Sequence, residues 1–325
     1  MPPQSLRSFA TIQGHERARS FLRAAVAHHR LPHTLLFAGP DGTGKRATAL
    51  ALAAYLLCER PHDDACGDCA SCRQVAAGSH PDLHVVALAT GKKEIGVDRA
   101  RDVKRFTQLQ AVRGQLKIAV VDDAHLLTVA AQNALLKTLE EPPKNSVLIL
   151  VAHNPDALLA TVRSRCQRVP FAPLPADTVV GILTSDHGIE PATARMLATV
   201  AEGSPGRALA LRRALGHAAD AALLQLAAPG GARYVAVMDA ARRLGTPEND
   251  TAMKLELMLF QLRDATIRAV GAAHSETTAT PGLPSVRAAL RGAEHLHAAR
   301  EVMRRGTPNR QLLLEALLLR LTDLR

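Results

Sequence analysis

The sequence is poor in aromatic residues, with no tryptophan, two tyrosines and six phenylalanines, so extensive stacking of nucleic-acid bases is not expected. It also lacks an uninterrupted apolar run near the roughly 18 residues that a membrane helix needs. Residues 1–10 lack the apolar core of a signal peptide. These absences argue against membrane contact and predict a cytoplasmic protein. Hydrophobic residues at 47% and charged residues at 22% are typical of a folded globular chain.

Cysteine is scarce and unevenly placed, which argues for a reducing compartment and a metal site instead of disulfides. Cys58, Cys66, Cys69 and Cys72 form the pattern C-x7-C-x2-C-x2-C, with Cys58 expected at the end of a helix and the others in a turn. Such thiolates can converge about 2.3 Å from one Zn²⁺, and four sulfur ligands make the site structural. Unligated thiols and an iron–sulfur cluster are the alternatives, although the C-x3-C-P continuation of the latter is missing after Cys72.

The charge balance does not identify a partner by itself. The chain has 40 Lys and Arg residues against 30 Asp and Glu residues, a net charge of +10. This excess favours a polyanionic partner. The basic residues are dispersed along the chain, however, and a surface that is simply rich in arginine explains them equally well.

The first half of the chain alternates apolar runs with amphipathic segments, which predicts a parallel sheet wrapped by helices. The predicted strands are 34–38, 83–88, 116–121, 146–152 and 167–171. Strand patterns end after 172–175, and the remainder is rich in Ala, Leu and Arg, which predicts helices only. We therefore expect three domains: an α/β core over 1–171 with the cysteine module 58–72 inserted, a small helical domain over 172–210, and a larger helical domain over 211–325.

A glycine-rich loop follows the first predicted strand and precedes a helix. It reads G-P-D-G-T-G-K from Gly39 to Lys45. In this context, backbone N–H groups around Gly39, Gly42 and Gly44 can wrap a phosphate chain, and Lys45 can meet the outer phosphates. Glycines that only form a turn are the alternative, but the strand, the spacing and the lysine together favour a nucleotide-binding loop.

Two positions near this loop depart from a working ATPase site. Arg46 stands where Ser or Thr would ligate Mg²⁺, and arginine cannot ligate a cation. After the third strand, Asp122 keeps a metal-side carboxylate, but Asp123 stands where a hydrolysing site usually has glutamate to orient water. Because about 1 Å of misplacement can cost roughly a hundredfold in rate, we expect a loop that is vestigial or binds nucleotide without turnover.

Further motifs give the chain a family resemblance. The run N-A-L-L-K-T-L-E-E-P-P over 133–143, preceded by the four cysteines and followed by S-R-C over 164–166, closely resembles bacterial clamp-loader subunits of DNA polymerase III. The matching segments 14–15, 31–39, 80–82 and 203–207 extend the resemblance across the first two predicted domains. It implies an α/β AAA+ (P-loop NTPase) core with a parallel five-stranded sheet, a small helical lid domain and an all-α C-terminal collar domain for oligomerisation.

Two clamp-loader subfamilies share these motifs. The motor subunits, gamma and tau, hydrolyse ATP, whereas delta prime commonly has a degenerate phosphate loop. Arg46 and Asp123 favour delta prime. The resemblance then implies a subunit that is not catalytic itself, with structural Zn²⁺ and with ATP and Mg²⁺ weak or absent. It would work within an AAA+ ATPase assembly of the DNA-directed DNA polymerase (nucleotidyltransferase) holoenzyme. A gamma/tau-like motor subunit is the alternative.

The resemblance also assigns roles to single residues. In the family the S-R-C motif supplies an arginine finger to the ATP site of a neighbouring subunit, and Arg165 with Ser164 and Cys166 matches it. A permanently charged guanidinium can stabilise charge on the γ-phosphate; an ordinary surface salt bridge is the alternative. Asn154 resembles the sensor of the γ-phosphate and Arg207 the second sensor arginine, although Asn154 could form a turn and Arg207 could brace its helix.

The partners implied are the gamma/tau motor subunits and the delta subunit, with the sliding clamp and primed DNA reached through the complex. The expected place is the cytoplasm, at nucleoid-associated replication forks, with no membrane contact. A zinc-dependent nucleic-acid-binding module is a further alternative. It is disfavoured because the segment Cys58–Cys72 carries four acidic residues against Arg60 alone.

Overall fold

A computed structural model describes residues 8–113, 115–215, 286–305 and 310–322. The chain divides into two compact units, Met1–Gly206 and Arg207–Arg325. The division into domains 1–171, 172–210 and 211–325 stays a prediction. Residues 216–285, a large part of the predicted collar, lie outside the described residues.

Five parallel strands form one sheet in the order β2-β3-β4-β1-β5. They are β1 Thr34–Ala38, β2 Leu83–Val86, β3 Lys117–Val121, β4 Ser146–Ala152 and β5 Gln167–Pro170. Every residue of β1, β3 and β4 is buried, as expected for parallel strands covered on both faces. The predicted parallel five-stranded α/β core followed by helices is confirmed.

Helices cover the sheet and continue beyond it. They are α1 Glu16–Ala27, α2 Lys45–Leu57, α3 Ala70–Ala77, α4 Val97–Gln108, α5 Val129–Glu140, α6 Ala160–Arg163, α7 Ala176–Ser185, α8 Pro191–Val200, α9 Pro205–Leu215, α10 Val286–Arg305 and α11 Arg310–Thr322. Short 3₁₀ turns lie at Ala124–Leu126 and Pro155–Ala157. Within the ranges that the model describes, no strand follows β5.

The side chains of the sheet alternate between two cores. Leu35 and Phe37 of β1 belong to the core shared with α1, α2 and α3. Leu36 and Ala38 belong to the core on the other side, shared with α4 and α5. This alternation is the two-residue period of a strand. The polar side chains discussed below follow the carboxyl ends of the strands.

Local interactions set where the helices begin and end. The Oγ1 of Thr128 accepts a hydrogen bond from the Ala131 N–H at 3.2 Å and so caps the start of α5. The carboxylate of Glu190 accepts from the N–H groups of Ala192 and Thr193, both at 2.9 Å, at the start of α8. These bonds satisfy backbone donors that a helix leaves free in its first turn.

Within the second unit, the described helices α10 and α11 pack together. Leu296 and Ala299 of α10 and Leu314 and Leu317 of α11 are buried, whereas Leu312 is exposed. The leucine-rich helix α11 is therefore partly buried. Among the helices in the described ranges, none has the length and apolar character needed to cross a bilayer.

Candidate functional site

The glycine-rich loop connects β1 to α2 in a conformation that requires glycine. Gly42 and Gly44 have φ values of 67° and 100°, in the left-handed region that glycine tolerates best. A Cβ on Gly39 would lie 1.9 Å from the carbonyl oxygen of Phe171, so no larger residue fits there. The loop is further fixed by Thr43, whose Oγ1 donates to the Pro40 carbonyl at 2.9 Å.

Lys45 points back into this loop. Its side chain is buried, and the Nζ atom donates to the carbonyl oxygen of Gly39 at 2.7 Å and to that of Pro40. Burial lowers the pKa of Lys45 from its usual value. The ammonium group that would meet outer phosphates therefore contacts carbonyls of the loop itself.

Arg46 contacts the carboxylate expected to serve a metal ion. Its Nη1 lies 3.0 Å from Oδ2 of Asp122, which follows β3. Burial raises the pKa of Asp122, and the charge of Arg46 opposes that shift. A fixed guanidinium thus occupies the side of Asp122 where a phosphate-bound Mg²⁺ would need an oxygen ligand. The residues present at this position do not fit Mg²⁺.

The start of α9 lies against the same loop. The Ser204 hydroxyl donates to the Asp41 carbonyl at 2.8 Å, and the Gly206 N–H donates to the Gly42 carbonyl at 2.9 Å. A Cβ on Gly206 would lie 2.7 Å from the Cα atom of Gly42. These contacts, all within the first unit, tie the loop to the chain that follows the core. Arg207 is the next residue of α9 and begins the second unit.

Polar residues at the ends of β3 and β4 form a cluster that the sequence analysis missed. Asp123, His125 and His153 each offer a metal-ligand atom, and these atoms lie within 4.8 Å of one another. The two imidazole rings are 3.7 Å apart between centroids. Burial and the nearby His153 lower the pKa of His125. Asn154 is exposed and begins the 3₁₀ turn that follows.

The four predicted cysteine ligands come together. Their sulfur atoms all lie within 4.8 Å of one another, and the Sγ atoms of Cys66 and Cys72 are 4.0 Å apart. Ligands about 2.3 Å from a tetrahedral Zn²⁺ are about 3.8 Å from one another. Cys58 ends α2 as predicted, but Cys69 and Cys72 were wrongly placed in a turn: Cys69 caps α3 and Cys72 lies in its first turn. The four cysteines could bind zinc.

Backbone donors already face these sulfur atoms. The Cys66 N–H donates to Cys58 Sγ at 3.4 Å, and the Cys72 N–H donates to Cys69 Sγ at 3.3 Å. Burial works to raise the pKa of Cys69, but hydrogen bonds from the backbone of Glu59 and Cys72 outweigh it and lower that pKa to about 7. Donors to sulfur favour the thiolate, which is the form that binds a metal.

Arg165 lies just after α6 and is exposed. Its Nη2 is 2.7 Å from Oε1 of Glu140, and its Nη1 donates to the Thr161 carbonyl at 2.9 Å. Ser164 beside it is exposed, and its hydroxyl also donates to the Thr161 carbonyl, at 3.2 Å. Cys166 is half-buried, and burial raises its pKa to about 12. The guanidinium is therefore held at the surface in one orientation.

Comparison with known proteins places the chain in a family. Residues 14–175 match the family model described as DNA polymerase III, delta subunit. The chain is 36% identical over 302 residues to DNA polymerase III subunit delta prime of Escherichia coli, covering 89% of this chain and 88% of that one. The chain belongs to the delta prime family of DNA polymerase III. The predicted family is confirmed.

Two further sequence relatives cover less of this chain, and one solved structure covers slightly more of it. Subunit delta prime of Pseudomonas aeruginosa is 45% identical over 44% of each chain. Subunit tau of Bacillus subtilis is 33% identical over 62% of this chain and 37% of its own length. A solved gamma subunit-related protein of Thermotoga maritima is 19% identical, with a TM-score of 0.48 over 94% of this chain and 98% of that one.

The predicted residues of this delta prime chain form three groups. The loop glycines, Lys45 and Asp122 lie together, with Asp123 beside them at the same edge of the sheet. The four cysteines form a separate cluster. Arg165, with Ser164 and Cys166, follows α6 and contacts the last turn of α5. The roles predicted for these residues, and for Asn154 and Arg207, stay predictions.

Proposed function

We propose that the chain is a non-hydrolysing delta prime subunit of a clamp loader, which helps to place a sliding clamp on primed DNA at replication forks. It would assemble with gamma/tau motor subunits and the delta subunit, and Arg165 would complete the ATP site of a motor neighbour. The predicted lid and collar domains would connect it to the other subunits. Membership in the delta prime family carries the assembly part of this proposal.

The bond between Arg46 and Asp122 supports the absence of ATP turnover. Hydrolysis requires Mg²⁺ between the phosphates and the protein. Here the carboxylate is paired with a guanidinium at 3.0 Å, and Lys45 contacts the carbonyls of its own loop. The Lys45 ammonium group would have to leave these carbonyls before a phosphate of ATP could contact it. Even then, the Mg²⁺ bound to ATP would lack the hydroxyl ligand that Ser or Thr provides at position 46. We therefore expect ATP and Mg²⁺ to bind weakly or not at all.

Two measurements on the purified chain test this part, each made with and without Mg²⁺. Calorimetry measures the binding of ATP, and the release of phosphate measures its turnover. We expect no turnover under either condition. Lys45→Ala provides the control, because turnover by a contaminating ATPase would survive that substitution. Mg²⁺-dependent turnover that Lys45→Ala abolishes would instead identify a gamma/tau-like motor subunit, and the proposal would be wrong.

The arrangement around Arg165 supports the finger role. Its side chain is 35% exposed, and contacts with Glu140 and Thr161 fix the direction of the guanidinium. A partly exposed ion pair of this kind contributes little to stability, so the guanidinium can leave Glu140 for a phosphate at low cost. At the surface, this permanently charged group is accessible to a neighbour's γ-phosphate.

Reconstitution tests the finger. Arg165→Ala, mixed with motor and delta subunits, clamp and primed DNA, is expected to assemble normally. It should lower the ATP turnover of the adjacent site by about 10³-fold or more and impair clamp loading. Arg101→Ala is the matched control, since Arg101 is also an exposed arginine paired with a carboxylate, Asp98 at 3.1 Å. Equal ATP turnover and equal clamp loading in the two variants would contradict the proposal that Arg165 is an arginine finger.

A structural Zn²⁺ at Cys58, Cys66, Cys69 and Cys72 completes the proposal. The sulfur separations and the N–H donors fit a closed four-thiolate site, which stabilises folding and has no open position for chemistry. The ion would hold the end of α2 to the start of α3. The site contributes to the shape of the core and has no part in nucleotide chemistry.

A further inference from the structure

We infer that Asp123, His125 and His153 form a second metal site, which binds a divalent transition-metal cation through two imidazole nitrogens and one carboxylate oxygen. Zn²⁺ is the representative ion. This site is distinct from the four cysteines in ligand chemistry, and it plays no part in the proposed finger of Arg165.

The topology of the sheet brings the three residues together. β3 and β4 are adjacent and parallel, with Val121 opposite Leu150. Their carboxyl ends therefore open at the same edge, the edge at which parallel α/β sheets bind ligands. His153 is the first residue after β4 and Asp123 the second after β3. Asp123 has a φ of 52°, and the turn it makes leads directly into the 3₁₀ turn that carries His125.

The donor atoms are close to the separation that a metal requires. All three lie within 4.8 Å of one another. Nitrogen and oxygen ligands about 2.1 Å from a tetrahedral Zn²⁺ are about 3.4 Å apart. His153 is exposed, so rotation of its side chain can close the remaining gap without moving the core. The ring centroids of His125 and His153 are 3.7 Å apart, closer than two rings that bind one ion, so the same rotation must also turn the His153 ring away from its contact with His125.

A buried ring nitrogen supplies the second, independent observation. Nδ1 of His125 is inaccessible to solvent and has no hydrogen-bond partner among the described residues. A buried polar atom left unsatisfied costs about 1–3 kcal/mol, and few are found in native proteins. An ion bound at Nδ1 removes that cost, because the lone pair of the nitrogen then coordinates the ion.

The donor set selects the class of ion. Two imidazoles and one carboxylate suit Zn²⁺ and its first-row neighbours, whereas Mg²⁺ and Ca²⁺ prefer oxygen ligands only. The four-cysteine cluster is soft and closed; the present set is harder and offers three ligands. Three protein ligands leave a fourth position for water or another oxygen ligand. The carboxylates of Asp41 and Asp122 act on His125 through space and favour a cation, and the ammonium group of Lys45 opposes them.

The experiment measures zinc bound to the full chain. Protein whose cysteine site holds one equivalent of Zn²⁺ is dialysed against low micromolar Zn²⁺, and its metal content is then determined. We expect a second equivalent in the wild type. His153→Ala should weaken the second site by about a hundredfold or more and retain the first. His28→Ala is the matched control, since His28 is also exposed and lies far along the chain, after α1.

A spectroscopic readout separates the two sites. Co²⁺ added to the zinc-loaded protein should give the ligand-field absorption of nitrogen and oxygen ligands without thiolate charge-transfer bands, and His153→Ala should abolish it. Circular dichroism of His153→Ala checks that the variant is folded, and Asp123→Asn provides a second variant with less steric change. A wild type that binds no second equivalent at micromolar Zn²⁺ overturns the inference. So does a second equivalent that persists when His125 and His153 are both replaced by alanine.

Discussion

Among the ion pairs of the described residues, the pair of Asp82 and Lys117 is the most isolated from water. The Nζ of Lys117 lies 2.9 Å from Oδ1 of Asp82, with side-chain exposures of 3% and 0%. The Asp82 carboxylate also accepts from the N–H groups of Val112 and Arg113, at 2.7 and 2.8 Å. Asp82 directly precedes β2 and Lys117 begins β3, so the pair joins the starts of two neighbouring strands, and the two N–H bonds attach the loop after α4 to them. A buried pair is tolerated only when its remaining bonding capacity is satisfied in this way.

Asp82→Ala is expected to destabilise the chain by about 3–5 kcal/mol, because it leaves the Lys117 ammonium buried without its partner. Urea denaturation followed by circular dichroism measures the change. Asp98→Ala is the control, since it removes an aspartate from an exposed pair with Arg101 and should shift the midpoint little. Equal shifts of the midpoint in the two variants would mean that the buried pair contributes no more to the free energy of unfolding than the exposed pair does.

The identity of a residue predicted well which chemistry a site lacks. It predicted less well which contacts that residue makes. That Arg46 cannot ligate Mg²⁺ follows from its side chain alone, but its bond to Asp122 depends on how β3 lies relative to α2. The cluster of His125 and His153 was missed because 27 residues separate the two histidines and no local spacing relates them. Only the adjacency of β3 and β4 brings them together.

At the scale of elements, the cysteine segment between α2 and α3 has little apolar packing over its first half. Residues 59–64 are exposed or half-buried. Within it, Asp64 accepts the Ala10 N–H at 2.8 Å, and Arg60 pairs with Asp68 at 3.1 Å. Exposed contacts of this type contribute little to stability. We therefore expect the four sulfur ligands and their ion to hold most of the cysteine segment in one conformation.

Cys72→Ser is expected to lower the affinity of this segment for Zn²⁺ by at least about a hundredfold. Amide hydrogen exchange should then accelerate over residues 58–78 while β1 and β4 stay protected. Thiolate-to-Co²⁺ charge transfer measures the binding directly. Cys166→Ser is the matched control, because Cys166 lies outside the cluster of four sulfur atoms. Unchanged exchange in the metal-free chain would contradict a structural ion.

Apolar patterns predicted the elements where burial is uniform and failed where other forces act. The predicted strands 34–38 and 146–152 coincide with β1 and β4, whose residues are all buried. The predicted strand 83–88 is longer than β2, which ends at Val86. The pairing of β2 with β3 also ends there, at Val86 opposite Val121. α3 was missed because the sulfur cluster and a cap at Cys69 begin it, and neither has an apolar periodicity.

For the whole molecule, family motifs predicted more than composition did. A net charge of +10 and an apolar fraction of 47% fit many proteins, whereas the sequence of motifs from Gly14 to Arg207 predicted the delta prime family that the comparisons confirm. Motifs identify local chemistry but carry no information on how units are arranged. The division into core, lid and collar depends on the resemblance and on the end of the strand patterns after 172–175, and it stays a prediction.

Buried histidines link the stability of the whole chain to pH. Burial lowers the pKa values of four histidines from their usual 6.5: His15, His80, His84 and His125. His84 packs on Phe106, with ring centroids 5.2 Å apart, and its Nε2 is buried without a hydrogen-bond partner. The folded state therefore holds these imidazoles neutral at a pH where the unfolded chain already binds protons.

The sign of the dependence follows from linkage. Below about pH 6.5 the unfolded state binds more protons than the folded state, so stability is fully present above that pH and falls as the pH drops toward the folded pKa values. We expect the urea midpoint, measured with zinc saturating, to decline between about pH 6.5 and 5, above the range where carboxylates titrate. His84→Gln removes one of these protons and should make the decline shallower. His28→Ala, at an exposed site, should leave the slope unchanged; a His84→Gln slope equal to that of the wild type would show that burial of His84 does not govern the acid sensitivity.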